Sequence, residues 1–127
     1  KAIEFDPNSD KAHCALGVLK INTNDLEGAK ESFCSALEIN IENLIANKSL
    51  LELSYQMDQF DSAHKYLKQY LEIHPANINM LFALVGIQYK KGDIEDALKT
   101  LDDVLFLDPE HKHALEFQKN ISAVSAE

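Results

Sequence analysis

The side chains able to do chemistry are few and scattered. His111-Lys112-His113 places two imidazoles close together, the start of a metal site. No third ligand joins them at a fixed spacing, as a closed site requires, and the pair reads as a solvated turn between helices. Asp102-Asp103 and Asp108-Pro109-Glu110 gather carboxylates that attract divalent ions. They lack the alternating ligand spacing of a calcium loop and read as a solvated helix face and its end. Cys14 and Cys34 supply two thiols without a His in a strand-turn setting that would activate one. Cys14 therefore reads as a small apolar filler. Gly17, Gly28, Gly86 and Gly92 are too dispersed to cradle a phosphate. Asn47-Lys48-Ser49 and Asn120-Ile121-Ser122 match the glycosylation acceptor pattern. No nucleophile, acid, base, metal set or cofactor motif converges, so the chain is expected to be non-catalytic, with no metal and no cofactor.

Composition says what must position these residues. The 127 residues carry a net charge of −9, and all twelve cations are Lys. Nucleic-acid binders need clustered Lys and Arg to neutralise phosphate, so this balance argues against nucleic acid. Without Arg there is also no planar fork for bidentate capture of phosphate or carboxylate. Four Gly and three Pro, with 46% hydrophobic and 26% charged residues, predict a folded, mostly helical domain. No apolar run approaches the about 20 residues that span a bilayer, so no direct membrane insertion is expected. Two cysteines fit a reducing compartment, which gives a cytoplasmic expectation. The start at Lys1 without Met reads as a piece of a larger protein.

An internal period organises the chain. Leu16, Leu50 and Leu84 are 34 residues apart, as are Ala29, Ala63 and Ala97, then Phe33, Leu67 and Leu101, then Leu26, Phe60 and Ile94. Pro75 and Pro109 keep the same spacing, and Pro7 precedes Pro75 by two periods, with Ile41 in the slot between. Periods of 20–50 residues mark stacked supersecondary units. Each period holds two apolar stripes at helical spacing, such as Leu81, Leu84, Val85 and Gln88, then Ile94, Ala97, Leu98, Leu101, Val104 and Leu105. The stripes predict first helices over 10–22, 44–56 and 78–90, second helices over 26–39, 60–73 and 94–107, and a last helix over 112–123. Asn43 and Asn77 are expected N-caps. Lys91-Gly92-Asp93 offers a left-handed residue followed by a capping Asp, and Asn24-Asp25 and Asp58 are expected to act alike.

This pattern resembles the tetratricopeptide repeat, whose motif runs W-x2-L-G-x2-Y, then A-x3-F, then a later Ala and Pro. Residues 10–43 carry Leu16-Gly17, Ala29-x3-Phe33 and Ala36; 44–77 carry Leu50, Ala63-x3-Leu67 and Pro75; 78–111 carry Leu84, Gly92-Asp93, Ala97-x3-Leu101 and Pro109. Residues 1–9 match the tail of a preceding repeat, and 112–127 a capping helix and tail. In that helix Leu115 and Ile121 are expected to face inward and Gln118 and Lys119 outward. The departures are His13, Asn47 and Leu81 in the Trp slot, Lys20, Ser54 and Gln88 in the Tyr slot, and Leu51 and Val85 in the Gly slot. Wider helix spacing is expected at Leu51 and Val85. The resemblance implies an all-α, right-handed α-solenoid of antiparallel helix pairs, with three full repeats.

The resemblance also implies a concave face lined by first helices. The residues it assigns there for binding a partner peptide or helix are Lys11, Cys14, Val18, Lys48, Glu52, Tyr55, Asn79, Phe82, Gly86, Tyr89 and Lys90. Three lysines against Glu52 make this strip locally non-acidic on an acidic body. Tyr55, Phe82 and Tyr89 are the expected anchors, and Gly86 is expected to leave room beside Phe82 for a ligand backbone. Some family members clamp acidic chaperone tails with a set of Lys and Asn residues. Cys14, Val18, Ser49, Asn79 and Ala83 occupy those slots here, and a frame one repeat later meets Glu52, so no such clamp is expected. The alternatives are a regulatory or scaffolding part of a larger enzyme, such as a glycosyltransferase or methyltransferase, and self-association through exposed repeat ends that include Ile3.

Overall fold

The structure, a computed structural model, describes residues 6–125, with side chains through residue 121. Ile3 and most of the expected tail of a preceding repeat lie outside the described residues. The described residues form seven helices and no strand: α1 Asp10–Asn22, α2 Leu26–Ile39, α3 Leu44–Met57, α4 Asp61–Ile73, α5 Ile78–Lys91, α6 Ile94–Leu107 and α7 Lys112–Ser125. The fold is all-α, built of tetratricopeptide-like helix pairs.

The caps explain why the helices begin where they do. Ser9, Asn43, Asn77 and His111 stand 34 residues apart. Each accepts from the backbone N–H three residues on: Ala12 to Ser9 Oγ at 3.2 Å, Ala46 to Asn43 Oδ1 at 3.0 Å, Met80 to Asn77 Oδ1 at 3.2 Å and Ala114 to His111 Nδ1 at 3.0 Å. Each bond satisfies one of the donors that a helix start leaves unpaired. His111 is thus a helix cap as well as a turn residue.

The turns between paired helices repeat in the backbone. Asn24, Asp58 and Gly92, again 34 apart, have φ of 62°, 54° and 85°. The next N–H in each case reaches back five residues: Asp25 to Lys20 O at 2.7 Å, Gln59 to Ser54 O at 3.1 Å and Asp93 to Gln88 O at 2.9 Å. This pattern closes a helix through a left-handed residue. One expectation needs correction. Asp25 caps α2 by accepting from Gly28 N at 3.0 Å, whereas Asp93 makes no side-chain cap bond to α6.

Two compact units make up the chain, with the boundary between Tyr70 and Leu71 inside α4. In the first, α1 packs on α2 and α2 on α3. Ala29, Phe33, Leu37, Ala46, Leu50, Leu53 and Leu67 form its core. Gly17 has a specific reason to be glycine: a Cβ there would lie 2.6 Å from the Phe33 ring. At the same register the other repeats pair Leu51 with Leu67 and Val85 with Leu101. A larger residue in the glycine slot thus goes with a smaller one opposite.

The Trp slot is filled in a related way. His13 Nε2 lies 3.0 Å from Pro7 O, and Asn47 Nδ2 donates to Ile41 O at 2.9 Å. Both tie the first helix to the carbonyl six residues back. Asn47, in the Trp slot, is buried, which leaves its sequon inaccessible.

In the second unit α5 packs on α6 and α6 on α7. Met80, Leu81, Leu84, Val85, Ile87, Ala97, Leu101, Val104, Ala114 and Ile121 are buried. The buried Thr100 hydroxyl reaches Gln88 Oε1 at 2.8 Å and Asp96 O at 3.0 Å, so the polar residue in the Tyr slot is satisfied, as burial demands. The expected inward face of α7 is corrected in part. Ile121 is buried but Leu115 is exposed, because the face turned inward runs through Ala114, Phe117 and Ile121, and Leu115 lies one step around the helix from it.

Candidate partner-binding surfaces

In the first unit, Lys11, Cys14 and Val18 follow one another at helical spacing along α1, as do Lys48, Glu52 and Tyr55 along α3. Lys11, Lys48 and Glu52 are exposed. Val18 is 46% exposed and Tyr55 47%. Cys14 is different, being only 6% exposed. Burial and the Asp10 carboxylate push its thiol pKa up, so it is a buried filler rather than a presented thiol. Tyr55 meets the Phe60 ring edge-on, 5.3 Å between centroids at 77°. The ring is therefore held in place while nearly half of it faces solvent. Burial raises its pKa, and the hydroxyl stays protonated and able to donate.

Asp10 anchors this unit's first helix. Its Oδ2 accepts from Asn43 Nδ2 at 2.8 Å and Asn40 Nδ2 at 3.1 Å, and these bonds hold the carboxyl below its usual range. On the second helices, Glu38 Oε1 accepts from the Tyr66 hydroxyl at 2.5 Å and Lys65 Nζ at 3.5 Å. The Tyr66 bond, then Lys65, keeps the carboxyl ionised to lower pH than usual. Burial, reinforced by Glu38, raises Tyr66 far above a normal phenol. Cys34 is half-buried, its thiol pushed up by burial, and both cysteines are free.

In the second unit the strip expected on α5 is partly covered. Asn79 and Lys90 are exposed, Tyr89 is 39% exposed, and Phe82 and Gly86 are half-buried. Phe117 of α7 presents its edge to both rings that flank Gly86 in sequence, 6.1 Å from Phe82 at 82° and 5.3 Å from Tyr89 at 80°. His111 adds a contact to Phe82 at 5.1 Å, and His113 stands 6.5 Å away. Phe82 belongs to an aromatic cluster that seats α7, while Tyr89 is only partly engaged. Phe117 was missed by sequence reasoning, although its place one turn before the buried Ile121 marked the inward face. Among the described residues no group of three His, Cys, Asp or Glu is placed to hold a metal ion, and no helix is long and apolar enough to cross a membrane.

Tetratricopeptide repeat sequence profiles match residues 54–121 and residues 10–42. The chain belongs to the tetratricopeptide repeat family. Curated relatives include the Sol locus transcriptional repressor of Clostridium acetobutylicum, 35% identical over 72 residues, which are 57% of this chain and 23% of that protein. Anaphase-promoting complex subunit 3 of Dictyostelium discoideum is 28% identical over 115 residues, 89% of this chain and 12% of that protein. The tetratricopeptide chain thus spans less than a quarter of either relative. Among solved structures, the first tetratricopeptide domain of Spaghetti (RPAP3), bound to the HSP90 peptide SRMEEVD, superposes with a TM-score of 0.73 at 14% identity, covering 99% of this chain and 100% of that one. MamA superposes at 0.65 with 20% identity, covering 83% and 61%. At these identities the likeness is one of fold.

Proposed function

We propose that this chain is a non-catalytic protein-interaction module that takes a peptide or helix of a partner on the exposed face of its first helices. The observation that carries this is Tyr55: an aromatic ring nearly half exposed, yet fixed edge-on by Phe60. A preordered ring anchors a ligand at low entropic cost. Lys11, Val18, Lys48 and Glu52 are the first unit's other proposed contacts, all exposed on α1 and α3. In the second unit, taken by itself, the proposed contacts are Asn79, Tyr89 and Lys90, exposed on α5, with the half-buried Phe82 and Gly86. Cys14 is left out because it is buried. The peptide bound to the Spaghetti domain carries acidic residues, and the slots that would clamp such a tail hold Cys14, Val18 and Ser49 here. An acidic chaperone tail is therefore not the proposed ligand. Two free thiols fit action in a reducing compartment.

The test compares proteins captured by the wild-type chain and by Tyr55→Ala/Tyr89→Ala, after circular dichroism shows both to be equally helical. A partner lost only from the variant supports the reading. Identical capture by the two proteins overturns it.

A further inference from the structure

Phe106 has no structural reason to be phenylalanine. It is 85% exposed at the end of α6, where an aromatic ring adds little to folding because it leaves almost no apolar surface out of water. The register sharpens the anomaly. Residues 72 and 38, one and two periods upstream, are Glu72 and Glu38, both exposed and suited to a solvated helix face. Phe106 also lines a shallow cleft with Pro75, Leu107 and Asp103, all within the second unit. Leu107 and Pro75 are themselves exposed. The result is an apolar notch with a carboxylate at its edge.

Charge says what fits there. The exposed residues of α6 include Glu95, Asp96, Asp102 and Asp103 against Lys99, on a chain of net −9. This field repels nucleic acid, an anionic membrane and a second copy of the chain, and attracts a cationic segment. We infer that the Pro75–Phe106–Leu107 notch docks a basic amphipathic segment of a partner protein. An aliphatic or aromatic side chain of that segment sits against Phe106, and a Lys or Arg faces Asp103. This surface lies on a second helix and is separate from the first-helix face proposed above, so a partner can engage either one alone.

The test uses a fluorescein-labelled helical peptide of leucine and lysine, and a twin of equal charge with alanine for every leucine. Fluorescence anisotropy compares both on the wild type, Phe106→Glu, Phe106→Ser and Tyr55→Ala. Phe106→Glu installs the residue that the other repeats carry at this register, so the fold is expected to persist, and it makes the chain more acidic. Attachment by charge alone therefore predicts equal or tighter binding. Docking in the notch predicts that the leucine peptide binds the wild type more tightly than its twin. It also predicts about tenfold weaker binding to Phe106→Glu and Phe106→Ser, with Tyr55→Ala unchanged. No preference for the leucine peptide, unchanged affinity in the Phe106 variants, or a loss seen only in Tyr55→Ala would each overturn it.

Discussion

Tyr55 in the first unit and Phe82 in the second are aromatics of first helices put to different uses. In the first, Tyr55 rests on Phe60 and turns nearly half its surface to solvent. In the second, Phe82 is held among His111, His113 and Phe117, and Tyr89 meets the same Phe117. The positions look alike in sequence, but only the second unit has α7 to cover them. An aromatic on this face stays available to solvent where no helix packs on it, as Tyr55 does, and is drawn into helix packing where one does, as Phe82 is against α7. The helix pairs contrast too: Gly17 receives Phe33 in the first unit, whereas Val85 stands at the same register as Gly17, and Leu101 at that of Phe33, in the second.

The largest expected effect tests that last contrast. Gly17→Val puts carbon where the Phe33 ring already lies and is expected to cost about 3 kcal/mol through overpacking. Adding Phe33→Leu recreates the second unit's pair and should recover most of the loss. Urea denaturation measures both, and a double variant no more stable than the single would refute the trade of volume between the slots.

Next comes Phe117→Ala. Losing a half-buried ring with two edge contacts is expected to cost about 2 kcal/mol, with faster amide exchange in α7. Tyr55→Ala, by contrast, should cost less than about 1 kcal/mol. Equal costs would erase the distinction between a seated and a presented aromatic.

The caps offer a smaller contrast. Asp25→Ala removes a side-chain cap and should cost about 1 kcal/mol. Asp93→Ala removes none and should cost less than half as much by thermal melting. The smallest effect concerns pH. The Glu38 carboxyl is held below its ordinary 4.5 by Tyr66 and Lys65, so its contribution is present above that value and lost as pH falls through the lower folded-state pKa. The melting-temperature gap between wild type and Glu38→Gln should be open at neutral pH and close in acid. A gap that stays constant into acid would mean that the Tyr66 bond does not favour the ionised carboxyl.

Helix positions were legible in the sequence, with ends within one or two residues of expectation. Asn43, Asn77 and the turn at Gly92 act on backbone groups only three to five residues away. The register of Leu, Ala and Phe positions was legible for the same reason: helical periodicity is a local property. Two of the three misplaced features involve contacts between elements, and the third is a local cap. Leu115 was expected inward, yet which side of α7 packs is decided by the surface it meets. Asp93 has the chemistry of a cap without the geometry. Cys14 lies on the same helical stripe as Lys11 and Val18 but is buried by its neighbours.

The sequence by itself determined that this chain is an all-α tetratricopeptide protein, because a 34-residue period of apolar stripes, caps and breakers leaves no other economical way to bury its hydrophobic surface. Only the tertiary structure decided which exposed-looking positions are open. Phe82 and Phe106 are both phenylalanines on helices, and nothing in their local sequence says that one is half-covered and the other bare. That difference arises from Phe117 and His111, residues far along the chain that pack over one ring and leave the other in water.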